Sequence, residues 1–187
     1  MSEAWGDKGK FEIVAASGRR KAIFSFERSG TNRSGYDGKV GWQDEPIVGA
    51  SLASGAALAH IKRDAASFNW QYDPQHYASM ESVGIVSFEG QDCFALKLVT
   101  RSGLESTHYF DAESGLLRGI VCTTALRSGT TWSRTFYTEY KKLADVLFPT
   151  SIRFNDEGFD ISARVKSLAV NGVDPISFAG PKFTASN

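Results

Sequence analysis

The stretch FEGQDCFALKLVTRSGLESTHYFDAESGLL, residues 88–117, decides the reading of the fold. Phe94, Leu96 and Leu98 stand two residues apart, the period of a strand with one apolar side. Glu89-Gly90, Arg101-Ser102-Gly103 and Asp111-Ala112-Glu113-Ser114-Gly115 interrupt the pattern with turn-forming residues. Residues 83–88, 93–100 and 105–110 therefore read as strands. Their loops are short enough to make sequence neighbours antiparallel hairpin partners. That register sets Phe94 beside Phe110 and Phe110 beside Leu117, on one face.

The same texture continues on both sides. Residues 116–125, 131–141, 146–154 and 159–170 extend the meander toward the C-terminus. Residues 11–16, 21–28 and 34–42 are strands toward the N-terminus, the last interrupted by Asp37-Gly38, a strong turn pair. Between the two runs lies an Ala-rich segment, residues 50–68. It carries Leu58, Ile61, Ala65 and Phe68 at helical spacing, with Ser54 placed to cap the N-terminus. Asp73-Pro74 reads as a turn or the start of a short helical piece. The expected fold is mainly β: a curved antiparallel sheet, an incomplete barrel, wrapped around one main helix.

The whole chain has 187 residues, 42% hydrophobic and 12% aromatic, which suits one globular domain over 1–187. Residues 1–10 are polar, lack the apolar centre of a signal peptide, and are expected outside the ordered fold. Twenty-one basic residues balance 21 acidic ones. That balance argues against nucleic acid, which asks for a basic surplus. No apolar run of about eighteen residues is present, so the chain is not expected to span a membrane.

Several segments, in order, resemble the LolA-like, outer-membrane lipoprotein-sorting family. They are Gly35-Tyr36-Asp37-Gly38-Lys39-Val40-Gly41-Trp42, the helix holding Gly55 to Leu58, Phe88-Glu89-Gly90 through Leu98, and Tyr109-Phe110-Asp111 through Leu117. Tyr140, Phe148-Pro149 and a closing Val170-Asn171-Gly172-Val173-Asp174 with Phe178 and Pro181 complete them. The resemblance implies a periplasmic or envelope protein that binds lipid or lipoprotein acyl chains in an apolar cavity, with no cofactor and no reaction. Members usually open with a longer helix and an extra strand, whereas here only Met1 to Lys10 precedes Phe11.

The candidate ligand-binding residues are Leu58, Ile61, Phe68, Phe94, Leu96, Leu98, Phe110, Leu117, Val121, Trp132, Phe136, Phe148, Ile152 and Phe154. The same residue types build either a cavity wall or a packed core. An envelope interaction or sensor module that keeps the fold without a cavity is the alternative. Catalytic patterns are weak. No Gly-x-Ser-x-Gly occurs, and Asp111 reads first as a residue that bonds its own turn. His60, His76 and His108 are scattered, with His108 and Asp111 on opposite faces of one strand, so no metal is expected. Cys93 and Cys122 fall about 20 Å apart in this register, beyond disulfide reach.

Overall fold

The computed structural model describes residues 2–4, 6–16, 18–67, 72, 74–101, 103–126, 129–156, 159–170, 174 and 178–181. After a three-residue strand β1 (Ser2–Ala4), the chain forms two compact units. The first spans Gly6–Gln71 and the C-terminal segment from Ala169; the second spans Tyr72–Leu168. The fold is mainly β, with antiparallel sheets of five and seven strands.

In the first unit β2 (Asp7–Ala16), β3 (Arg19–Phe26), β4 (Gly30–Tyr36), β5 (Gly41–Glu45) and β6 (Gly49–Leu52) form a simple meander. Strand β2 begins at Asp7, so residues 7–10 lie inside the fold, a correction to the expectation for residues 1–10. Asp7 explains why. Its nearly buried carboxylate accepts from the Ser29 hydroxyl at 2.8 Å and from the backbone N–H groups of Ser29 and Arg28. Those bonds close the open end of the β2–β3 hairpin. At the next turn Asp37 Oδ1 accepts from the N–H groups of Lys39 and Val40, and Gly38 takes the left-handed φ of 101°.

The residues between that turn and the helix include β6, a strand that the sequence pattern did not single out. Helix α1 (Gly55–Ser67) then packs on β3, β4 and β5. Ile61 and Ala65 are buried beneath it, and Leu58 sits against Gly41, where an added Cβ would lie 2.5 Å from Leu58 Cδ1. Asp64 pairs with Arg20 of the sheet at 3.8 Å. The far face of this sheet holds Trp42, covered by Phe178 and Gly180 from the C-terminal segment.

The second unit starts with a 3₁₀ turn (Pro74–His76), followed by β7 (Tyr77–Phe88), β8 (Gln91–Thr100) and β9 (Glu105–Asp111). Strands β10 (Leu117–Leu126), β11 (Gly129–Leu143), β12 (Val146–Asp156) and β13 (Phe159–Arg164) follow, each beside its sequence neighbour. Asp111 closes the β9–β10 turn. It accepts from the backbone and hydroxyl of Ser114 and meets Arg118 at 3.3 Å. The Ser114 bonds hold its carboxyl below the ordinary range.

Candidate functional site

Ladder register assigns each side chain of the seven-stranded sheet to a face, because directly paired residues point the same way. One row runs Leu96, His108, Ile120, Thr135, Phe154 and Ile161 across six strands, β8 to β13. The adjacent row on the same face begins Ile85, Phe94, Phe110 and Leu117. Tyr137, Ile152 and Ala163 pair on that face as well. This His108 face is rich in aliphatic and aromatic groups. Leu98 and Leu117 on it are buried, whereas Phe94 and its partner Ile85 are 48% and 60% exposed.

The opposite face carries a different chemistry. Its central row is Ala95, Tyr109, Gly119, Phe136, Arg153 and Ser162. Phe88 stacks on Tyr109 with ring centroids 4.1 Å apart and on Phe136 at 5.7 Å. Arg153 lies over the Phe136 ring and Arg134 over Trp132. Arg153 also pairs with Asp160, and Lys97 with Glu105. Cys93, Ala95 and Phe88 are buried on this face, whereas the guanidinium groups over rings and the ion pairs between strands suit its solvated positions.

The structure therefore divides the candidate residues. It brings Phe94, Leu96, Leu98, Phe110, Leu117, Ile152 and Phe154 to the His108 face. It does not bring Val121, Trp132 and Phe136 there: Val121 pairs with Thr107 and Arg134, Trp132 with Thr123, and Phe136 with Gly119. A bulge between Leu117 and Gly119 causes the division. Counting on from Leu117 in twos lands on Gly119 and Val121, but the extra residue Arg118 hands the His108 face to Ile120 instead. Phe148 is half-buried and pairs with Lys141, beyond the left-handed residue Glu139 (φ 53°). Leu58 and Ile61 belong to the helix of the five-stranded unit. Phe68 lies outside the described residues.

Sequence reasoning missed the polar group in the middle of the His108 face. The Tyr72 hydroxyl lies 2.9 Å from His108 Nδ1, and the Ser106 hydroxyl lies 3.3 Å from Nε2. The Tyr72 ring stands edge-on to His108 and to Phe110, at 5.4 and 5.9 Å. Burial pushes the His108 pKa down to about 4 and the Tyr72 phenol up to about 12. Burial likewise lifts Tyr140, whose hydroxyl donates to the Leu117 carbonyl, to about 12. A histidine at an inward position of an apolar strand is the signal that marks this cluster.

Among the described residues, no three His, Cys, Asp or Glu side chains form a group that could hold a metal. None of the described helices is long and apolar enough to cross a membrane. Between α1 and the five-stranded sheet lies a separate pocket of about 280 Å³, lined by Phe24, Asn32, Ser34, Gln43, His60 and Ile61 among others. Its mixed amide, hydroxyl and ring lining contrasts with the apolar rows of the larger sheet.

Neither a protein-family model nor a characterised protein matches the chain by sequence. Solved structures do match. A LolA superfamily protein from Nitrosomonas europaea aligns over 96% of this chain and 86% of its own, at a TM-score of 0.65 and 13% identity. A DUF1329 family protein from Desulfovibrio piger aligns over 95% and 85%, at a TM-score of 0.62 and 15% identity. A domain from Vibrio parahaemolyticus, described as an outer-membrane lipoprotein-sorting protein, aligns over 92% and 81%, at a TM-score of 0.60 and 13% identity. The fold is LolA-like. At these identities the likeness is one of fold.

Proposed function

We propose that this chain binds a lipid, a lipoprotein acyl chain or another hydrophobic ligand in the bacterial cell envelope, without catalysis and without a cofactor. The observation that carries the reading is the His108 face: apolar residues in register across the sheet, with Phe94 and Ile85 still open to solvent. Apolar rows of this extent normally face a core or a ligand. The lipoprotein-sorting name of the Vibrio structure supports both the ligand class and the envelope setting. Phe94, Leu96, Phe110, Leu117, Ile152 and Phe154 are the contact residues in this reading, and Val121, Trp132 and Phe136 are not.

The test is to purify the protein from envelope extract and weigh it intact under native conditions. Acyl lipid released on denaturation is the expected result. A bare polypeptide mass, together with no uptake of a fluorescent fatty acid, would remove the reading. One observation favours the interaction module as a second reading. Ile47 and Val48, at the β5–β6 turn, are 98% and 70% exposed, an apolar tip suited to a partner protein. Ile47→Ser with Val48→Ser would then abolish partner capture and leave lipid uptake intact.

A further inference from the structure

We propose that the Tyr72–His108–Ser106 chain is a subsite for a neutral acyl carbonyl, the ester or amide carbonyl of a bound lipid. The inference rests on the lipid-binding reading and names the polar group that such a ligand must bring.

The argument is a count of protons. The phenol, the neutral imidazole and the hydroxyl hold one acidic proton each, and the two contacts of the chain use two of them. If Tyr72 donates to Nδ1, then Nε2–H donates to Ser106 and the serine O–H is left over. In the other tautomer Ser106 donates to Nε2, Nδ1–H donates to the tyrosine oxygen, and the phenol O–H is left over. Either way one O–H donor has no acceptor within the chain. His108 sits between Leu96 and Ile120, and that row carries no Lys or Arg. Tyr72 and Ser106 are half-buried, so a ligand lying over the face takes the spare donor out of water, and an acceptor arriving with that ligand offsets the cost.

The acceptor should be uncharged. With its pKa near 4, His108 is neutral at pH 7, and so is Tyr72. A carboxylate would lose its hydration here and meet no counter-charge. An ester or amide carbonyl loses far less and gains one hydrogen bond. This chemistry fits the head end of an acyl chain whose tail lies along Phe94, Phe110 and Phe154.

The experiment uses the full chain loaded with diphenylhexatriene, an uncharged fluorescent hydrocarbon. The probe is displaced by methyl decanoate and by tridecane, which match in heavy atoms and differ in the ester. In the variant Tyr72→Phe/Ser106→Ala/His108→Phe, methyl decanoate should bind about tenfold more weakly, the worth of one neutral hydrogen bond. Tridecane should change by less than about twofold, because only apolar contact is involved. Unchanged ester affinity, or equal weakening of both ligands, would overturn the subsite. If the triple variant does not fold, Tyr72→Phe/Ser106→Ala/His108→Leu takes its place, which again leaves no donor in the cluster, and its ester-specific loss is judged by the same two outcomes. A parent protein that takes up neither probe nor ligands removes the lipid-binding reading itself, and the subsite with it. A parent that binds both ligands, with no ester-specific loss in the variants, removes the subsite alone.

Discussion

The indole N–H of Trp42 donates to the carbonyl of Phe178 at 3.2 Å, across 136 residues of chain. The Phe178 ring is 1% exposed, and Arg19 lies over it at 5.2 Å. Gly35 and Gly180 lie against the indole so closely that a Cβ on either would come within 2.8 Å of it. The C-terminal segment is thereby locked onto the β4–β5 hairpin. Phe178→Ala should cost about 3–5 kcal/mol, since it opens a fully packed site. Trp42→Phe should cost about 1–3 kcal/mol, because it leaves the Phe178 carbonyl without its donor and shrinks the ring. Urea unfolding measures both, and a Phe178→Ala midpoint equal to that of the parent would show the segment to be loosely attached.

Much of this architecture is legible in the sequence because it is local. The Asp37-Gly38 and Asp111–Gly115 turns announce themselves through residues that bond their own backbone. The helix announces itself through the spacing of Leu58, Ile61 and Ala65. The pairing of Phe94 with Phe110, and of Phe110 with Leu117, follows from loop length alone. The faces of Val121, Trp132 and Phe136 are not legible, because one bulge residue, Arg118, shifts the alternation beyond Leu117 and leaves no compositional mark. Asp7 was hidden for another reason. Its partners Arg28 and Ser29 are twenty-odd residues away, and a polar N-terminus reads the same whether it is bonded or loose. Tyr72 was hidden because nothing local ties it to His108, 36 residues on.

Gly119 makes the bulge compatible with the aromatic stack. A Cβ there would lie 2.5 Å from the Phe88 ring and 2.9 Å from the Thr135 carbonyl. Gly119→Ala should therefore destabilise by about 1–3 kcal/mol through overpacking, with the stacked rings displaced. The check pairs thermal unfolding with the near-ultraviolet circular dichroism of the Phe88–Tyr109 pair. A variant with unchanged stability and unchanged aromatic signal would refute the close approach.

The two cysteines should react at different rates. Cys93 is fully buried on the Tyr109 face, beside Asp111, and burial pushes its thiol pKa up. Cys122 is half-buried on the opposite face, paired with Ser106. A thiol reagent at pH 8 should modify Cys122 first, and should reach Cys93 only on local opening or in urea. Denatured, unreduced protein should give two thiols per chain. Simultaneous reaction of both in the native state would show that Cys93 is accessible.

Stability should fall as pH drops from 7.5 to 5, and His108 should be the main cause. Its folded pKa of about 4 lies below the ordinary value of 6.5, so the unfolded chain takes up the proton more readily. The contribution is full above about pH 6.5 and is lost as pH falls toward 4, amounting to as much as about 3 kcal/mol. The carboxyls of Asp7, Asp37, Asp111 and Asp160 are held below 3.8 in the fold, so their contributions disappear only in more acid solution. His108→Phe should flatten the slope between pH 7.5 and 5. An unaltered slope would mean that His108 is charged, or solvated, in the fold.

The division of the sheet into two faces gives the sharpest test of where a ligand lies. Phe94 and Trp132 are both aromatic, both on strands of the seven-stranded sheet, and 48% and 39% exposed. Register places them on opposite faces. At such exposure a charge costs the folded protein little, because the carboxylate can reach water. On a ligand-bearing face the same charge is desolvated whenever an acyl chain lies over it, and it then opposes binding by several-fold or more. Phe94→Asp should therefore leave the melting temperature nearly unchanged and abolish uptake of a fluorescent fatty-acid ester. Trp132→Asp removes the ring beneath Arg134, 4.4 Å from the guanidinium, and leaves the carboxylate close enough to pair with it. Uptake in that variant should match the parent. Equal loss in both variants would place the ligand elsewhere, and loss confined to Trp132→Asp would assign it to the Tyr109 face.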